Sequence, residues 1–348
     1  MTDITSSAGS RGTGRRGRVP WTLAALAALS WMPWAKAYAQ RAPSGANEIE
    51  ALEIRPNFFM IAGAGGNIGV QLGELGVVLV DTGSAQMTDQ VLAAIRKISS
   101  RPIRFIVNTS AEPDHVGGNE KLSKAGVSLI PANNAGGVNV VNEVDKSGAA
   151  GILATDNVLN RMSAPTGQVS PFPTAAWPTE TFSEDEKDTY LNGEGIQVLA
   201  QPAAHSDGDA MVFFRRSDVV VAGEVLDMNR FPVIDVEKGG SIQGEISALN
   251  RLIDITIPET PLVWQEGGTL VIPGRGRICD EADVVEYRDM LTIIGDVVQD
   301  MIQKGMTLSQ IKASDPTKEY RPRYGAESGP WTTDMFIEAV YRSLSAKK

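Results

Sequence analysis

The chain has 348 residues, 42% hydrophobic and 21% charged, with a formal charge of −10 from 32 basic and 42 acidic residues. That composition excludes disordered, collagenous and coiled-coil chains, and an acidic chain whose only basic cluster lies in its first 18 residues is a poor partner for nucleic acid. The single cysteine, Cys279, rules out an intramolecular disulfide and a cysteine-built zinc site, and only two histidines, His115 and His205, leave any metal centre dependent on carboxylates.

Arg11, Arg15, Arg16 and Arg18 precede an apolar stretch, Trp21 to Trp34, that is too short to span a bilayer as a helix. Ala37-Tyr38-Ala39 follows as a small-x-small cleavage signature. This pattern predicts a signal peptide over residues 1–39, cleaved before Gln40, and a periplasmic or secreted protein with no membrane attachment after cleavage. The Arg15-Arg16 pair leaves the general and twin-arginine export routes both open. Cleavage removes five basic residues and one acid, leaving 27 against 41 and a charge of −14.

Along the mature chain, Ala51–Arg55, Phe58–Ala62, Gly69–Leu72 and Val77–Val80 read as short strands separated by Gly and Pro. Met87–Ile98 has helical spacing and Ile103–Asn108 is a buried strand, giving a strand-helix-strand unit. Asn119–Ala125 reads as a short helix, Val127–Pro131 as a strand and Val138–Leu153 as a weaker helix. Residues 154–189, rich in Pro, Ser and Thr, read as a long surface excursion placed to cover a site. Gly195–Gln201, Ala210–Arg215, Val219–Ala222 and Thr269–Ile272 are predicted strands, and Ile242–Thr256, Glu281–Lys304 and Trp331–Ser345 predicted helices. No repeat or interdomain linker is visible, so residues 40–348 are expected to form one mixed α/β domain, with a core over about 50–290 and a helical extension over 291–348.

Chemistry-bearing residues gather where strands end. Asn108-Thr109-Ser110-Ala111-Glu112-Pro113-Asp114-His115-Val116-Gly117-Gly118-Asn119 follows a buried strand and enters a helix. It resembles the metallo-β-lactamase superfamily motif Asn-Thr-His-x-His-x-Asp-His-x-Gly-Gly-Asn. Leu79-Val80-Asp81-Thr82-Gly83, Ala204-His205-Ser206-Asp207-Gly208-Asp209, Val221-Ala222-Gly223-Glu224 and Ile272-Pro273-Gly274-Arg275-Gly276 look like the superfamily's further motifs, in the same order. The resemblance covers roughly residues 50–290. It implies an αβ/βα sandwich of two mixed β-sheets flanked by helices, and a metal-dependent hydrolase.

The ligand positions depart from that pattern. Ser110 and Glu112 stand for the first two histidines, Glu224 for the bridging aspartate and Arg275 for the last histidine, while Asp114, His115 and His205 match. A standard dizinc centre is therefore not expected. Glu112, Asp114 and Glu224 together carry three negative charges, of which Arg275 offsets one. The remainder equals one divalent ion held by Glu112, Asp114, His115, His205 and Glu224, with zinc, manganese and iron undistinguished. Alternatively no metal binds, and two protonated histidines with Arg275 balance the same carboxylates. Flavodiiron proteins, which share the implied fold, resemble this chain in having Glu at the position of Glu112, but they keep the other histidines.

Asp81 reads as a residue supporting the site rather than a ligand, Gly117 and Gly118 as close-approach glycines, and Cys279 as a core residue. Ser110 has no evident general base and is not read as a nucleophile. The aromatics of Trp331–Tyr341 read as packing, with Thr332 or Thr333 near the helix cap. Three functions follow from this reading. One is a hydrolase in which a single metal activates water, with Asp114 as base and Arg275 on an anionic substrate or oxyanion. Another is a non-catalytic ligand- or partner-binding protein, and the third an iron-dependent oxidoreductase. The expected partner is a small molecule, an ester, lactone, thioester or β-lactam; oligomeric state is not legible.

Overall fold

The structure is a computed structural model and describes residues 48–129, 148–164, 167–259 and 267–345. The expected signal peptide and its cleavage site lie outside the described residues, as does most of the expected helix Val138–Leu153.

The first sheet contains β1 (Glu50–Arg55), β2 (Phe58–Ala64), β3 (Gly66–Gly73), β4 (Gly76–Val80), β5 (Ile103–Val107), β6 (Gly151–Thr155) and β7 (Glu180–Phe182), in that spatial order. Its first four strands form an antiparallel meander, and β5, β6 and β7 add in parallel. Between these strands lie α1 (Thr88–Ile98), α2 (Pro113–Val116), α3 (Asn119–Ala125) and α4 (Asp156–Met162). The second sheet is built from β8 (Glu186–Leu191), β9 (Glu194–Ala200), β10 (Ala210–Phe214), β11 (Val219–Asp227) and β12 (Leu270–Arg275), ordered β12-β11-β10-β9-β8. It is antiparallel except where β12 joins β11 in parallel through a crossover that contains α5 (Ile242–Ile255). The chain ends in α6 (Glu281–Gln303), α7 (Leu308–Ser314), α8 (Arg321–Tyr324) and α9 (Thr333–Ser345).

Strand periodicity explains the layers. Every residue of β4 is buried, with Val77 and Leu79 facing Val91 and Ile95 of α1 while Val78 and Val80 face Val198, Val212 and Val221 of the second sheet. The outer face of the second sheet, through Met211, Val220 and Val271, is covered by Leu249 and Leu252 of α5, Tyr287, Leu291 and Ile294 of α6 and Phe336 and Val340 of α9. Phe336 stacks on Phe231 with ring centroids 4.7 Å apart. The result is the expected sandwich, helix on sheet on sheet on helix, and the helices after residue 290 form part of its outer layer. Capping boxes start α6 at Asp280 and α7 at Thr307, and Thr332 Oγ1 accepts the Met335 N–H at the start of α9.

Several expected elements differ. Gly151–Thr155 is a strand, not the end of a helix, because its buried run Ile152, Leu153, Ala154 pairs in parallel with β5, and short apolar runs do not separate the two states. Val127 to Leu129 has no regular structure, and the rest of that expected strand lies outside the described residues. The excursion 154–189 contains α4, β7 and the start of β8, so its irregular part is shorter than its composition suggests. After Lys304 the chain forms α7 and α8 before the expected last helix; both are too short to show a period.

Candidate active site

The site lies where β4, β5 and β12 end, against the Gly223 kink within β11. Asp81 follows β4 at φ 64°, a left-handed conformation costly for a residue with a Cβ. Its carboxylate is tied down by the Thr109 N–H at 2.8 Å and the Thr109 hydroxyl at 2.6 Å. The loop after β5 is clamped by reciprocal amide bonds between Asn108 and Asn119, and Thr82 Oγ1 donates to the His115 carbonyl. Gly117 is a contact position, since a Cβ there would lie 2.4 Å from the Ala85 nitrogen. These contacts aim Glu112, Asp114 and His115 toward the second sheet.

His115 is fully buried between two carboxylates, with Nδ1 2.7 Å from Asp81 Oδ2 and Nε2 2.6 Å from Glu224 Oε1. Glu224 reaches this point because Gly223, at φ 55°, kinks β11 and packs where a Cβ would meet Thr109 at 2.4 Å. Burial opposes the charge on the imidazole, yet Asp81 and Glu224 hold its pKa well above the usual range. Burial likewise opposes ionisation of Glu224, but His115, Arg275 and His205 hold its pKa well below that of an ordinary carboxylate. Both ring nitrogens of His115 therefore face a carboxylate oxygen at hydrogen-bond distance, an arrangement that favours the charged ring.

Arg275 ends β12 and spans three acids. Its Nη1 is 2.8 Å from Glu224 and 3.6 Å from Asp227, and its Nη2 bonds Asp114. Asp227 also takes Arg230 at 2.8 Å. On the other side of the site, Nδ1 of His205 lies 2.7 Å from the Val233 carbonyl and Nε2 lies 3.4 Å from Glu112. Lys238 joins them, 3.2 Å from Glu112 and 2.9 Å from Asp235. The hydrogen bond from His205 chiefly pulls the Glu112 pKa down to about 2. Burial works against the His205 charge, but Glu112, Asp209 and Glu224 lift its pKa to about 10. Ser110 is buried and its Oγ accepts the Glu112 N–H at 3.2 Å, a turn contact rather than nucleophile geometry.

The six expected site residues fall into two clusters, Asp114–His115–Glu224–Arg275 and Glu112–His205, which act on one another through charge, Glu224 helping to raise the His205 pKa. Lys238, Asp227, Arg230 and Asp235 were not legible as members. Lys238 arrives from a turn remote from every motif, although its spacing to Asp235 marks a local ion pair. Beside Asp114 a cleft of about 520 Å³ is lined by Ser84, Gln86, Pro113, Phe172, Pro173 and Ala176. A larger hollow of about 1170 Å³, bordered by Arg55, Glu74, Arg101 and Arg216, includes none of these site residues.

Residues 62–258 match the family model of the metallo-beta-lactamase superfamily, a span that holds Asp81 through Lys238 and stops before Arg275. The chain belongs to the metallo-beta-lactamase superfamily. It is 26% identical over 253 residues to a linear primary-alkylsulfatase of a Pseudomonas sp., covering 68% of this chain and 47% of that protein. In fold it resembles the stereoselective inverting sec-alkylsulfatase from Pseudomonas sp., with TM-score 0.58 and 13% identity over 84% of this chain and 50% of the other. It also resembles the metallo-beta-lactamase from Pontibacter korlensis, with TM-score 0.51 and 16% identity over 70% of this chain and 99% of that one. The chain spans about half the length of both alkylsulfatases.

Proteins of this superfamily typically bind divalent metal, and Asp114, His115 and Glu224 offer one ligand atom each, all within 4.8 Å of one another. The donor set nevertheless does not fit an open metal centre. Two of the three ligands are held by the guanidinium of Arg275, a cation that cannot lose its proton, and the third spends both nitrogens on carboxylates. Glu112 and His205 supply two donors, and Lys238 already sits on the first. Six carboxylates (Asp81, Glu112, Asp114, Glu224, Asp227, Asp235) meet five cations (His115, His205, Arg230, Lys238, Arg275), so one negative charge is left where the three motif carboxylates alone would leave three.

Proposed function

We propose that the chain hydrolyses a small anionic ester with an apolar portion, an alkyl sulfate being the first candidate. The observation that carries this reading is the placement of two part-exposed carboxylates, Glu112 and Asp114, against two part-exposed cations, Lys238 and Arg275, with Asp114 on the edge of the apolar cleft. The alkylsulfatase likeness supports the substrate class.

In this mechanism Lys238 and the N–H groups of Arg275 not spent on Asp114 and Glu224 hold the anionic group and stabilise the charge that grows on the departing oxyanion. Glu112 orients the attacking water. Its low pKa makes it a weak base, so its share falls near the lower end of general-base effects, about 10²-fold. Water adds, the ester bond breaks, and an alcohol and an oxyanion leave with one proton released. His115, fixed between Asp81 and Glu224, keeps the floor rigid and does not exchange protons.

The test is release of sulfate from short- and long-chain alkyl sulfates by the purified chain. Turnover should fall sharply in Glu112→Gln and Lys238→Met; no turnover above the background of the double variant overturns the reading. The low pKa of Glu112 also favours a second reading, binding without turnover, in which the same compounds raise the melting temperature and are recovered intact. Export is proposed from residues 1–39 alone; an intact Met1 terminus on protein from the envelope fraction would contradict it.

A further inference from the structure

We propose that cations of the chain itself, Arg275 and Lys238, take the place that divalent metal holds in this superfamily, and that removing Arg275 opens a site for one ion on Asp114, His115 and Glu224.

The argument is geometric. Arg275 stands at the end of β12, paired in register with Asp227 of β11, so the sheet aims its side chain across Glu224 toward Asp114. Gly274 lets the two strands close at that point, since a Cβ there would lie 2.5 Å from the Gly223 carbonyl oxygen. A histidine at position 275 would be a neutral donor; the arginine is a permanent charge bonded to the two carboxylates an ion would need. Any divalent ion bound there would face that charge within hydrogen-bonding range of its own ligands, and water cannot screen a contact in which Glu224 and His115 are buried. Lys238 repeats the device on Glu112, its ammonium also paired with Asp235. What Asp81 does for His115 is unchanged by the replacement: the carboxylate that would orient a ligating imidazole here holds the ring against Glu224.

This inference stands apart from the catalytic reading, because its readout is metal content and not turnover. The full chain, purified without chelator from cells supplied with zinc, manganese and iron, and the variants Arg275→His and Arg275→Gln are compared by elemental analysis, zinc titration and thermal melting with and without EDTA. The parent should hold only substoichiometric metal and melt identically with EDTA. Arg275→His should bind about one zinc per chain, at least about 100-fold more tightly than the parent, and its melting temperature should rise with zinc and fall with EDTA. Should the variants fail to fold, the parent decides: about one tightly bound ion per chain, with melting lowered by EDTA, overturns the proposal. Variants that fold and bind zinc no better than the parent overturn it as well.

Discussion

Nδ1 of His115 stands 2.7 Å from Oδ2 of Asp81, and both side chains are out of solvent. A histidine at a metal-ligand position of this superfamily is here held on one side by the acid that follows β4 and on the other by Glu224. The pair is thus a structural brace whose strength can be measured.

Asp81→Ala leaves the imidazolium with one carboxylate and strands the Thr109 N–H and hydroxyl. Breaking a buried ion pair from one side typically costs about 3–5 kcal/mol. Urea unfolding of the parent and variant measures it; a loss below about 1 kcal/mol, the range of exposed pairs, would mean that the pair is not buried and ionic in solution.

Stability should also follow pH in a defined way. His205 is lifted to about 10, against burial, by Glu112, Asp209 and Glu224, so its stabilisation is fully present below the unfolded value near 6.5 and is lost as pH rises toward 10. His115, also raised, acts in the same direction. Glu112, lowered to about 2, contributes stability that is complete above the unfolded value near 4.5 and lost as pH falls. Burial lifts Asp209 to about 6, which costs stability progressively above its unfolded value near 3.8. Because Asp209 and the buried Glu245 already cost stability above their unfolded values, the expected profile peaks between about pH 4 and 5 and declines by roughly 2–4 kcal/mol toward pH 10. Denaturant curves across this range, repeated on His205→Gln, isolate the histidine, whose loss should make the alkaline limb shallower.

Glu245 on α5 is fully buried, and neither carboxylate oxygen has a hydrogen-bond partner among the described residues. Burial, with Asp209 nearby, pushes its pKa well above the usual range, so the folded chain carries the acid protonated where the unfolded chain ionises it. A raised carboxyl pKa costs stability above the unfolded value near 4.5. Glu245→Leu should therefore gain about 1–4 kcal/mol near neutral pH, and gain more at pH 8 than at pH 5. A gain independent of pH would assign the effect to packing instead.

The strands β4, β5 and β9 to β12 were legible because they carry short continuous apolar runs between turn residues, and the two-sheet sandwich was legible through the resemblance that the motifs carry; the strand order was not. The partners of those motifs were not. Asp227 and Lys238 reach Arg275 and Glu112 through the curl of β11 and a turn before α5, and nothing in local periodicity records that contact. The charge count from sequence left two negative charges on the motif residues. In the fold Lys238 arrives with Asp235 and Arg230 with Asp227, pairs that cancel, so the deficit shrinks only through His115 and His205, whose carboxylate partners spacing alone could not supply.

The cleft beside Asp114 gives the last prediction. Phe172 is held there by the Trp177 indole N–H, which donates to its carbonyl at 3.0 Å, and it lines the cleft with Pro173 and Ala176. If this surface receives the apolar part of the substrate, each buried methylene is worth about 0.8 kcal/mol, so KM should fall as the alkyl chain lengthens until the cleft is full. Phe172→Ala removes one wall and should raise KM for long-chain substrates by about 10-fold while leaving short-chain KM and kcat nearly unchanged, because the ring touches the chain and not the reacting ester. KM measured against chain length for both proteins decides it. Equal slopes would place the apolar part elsewhere and detach the cleft from the site, whereas a fall in kcat at every length would mean that Phe172 positions the loop carrying Asp114 and not the substrate.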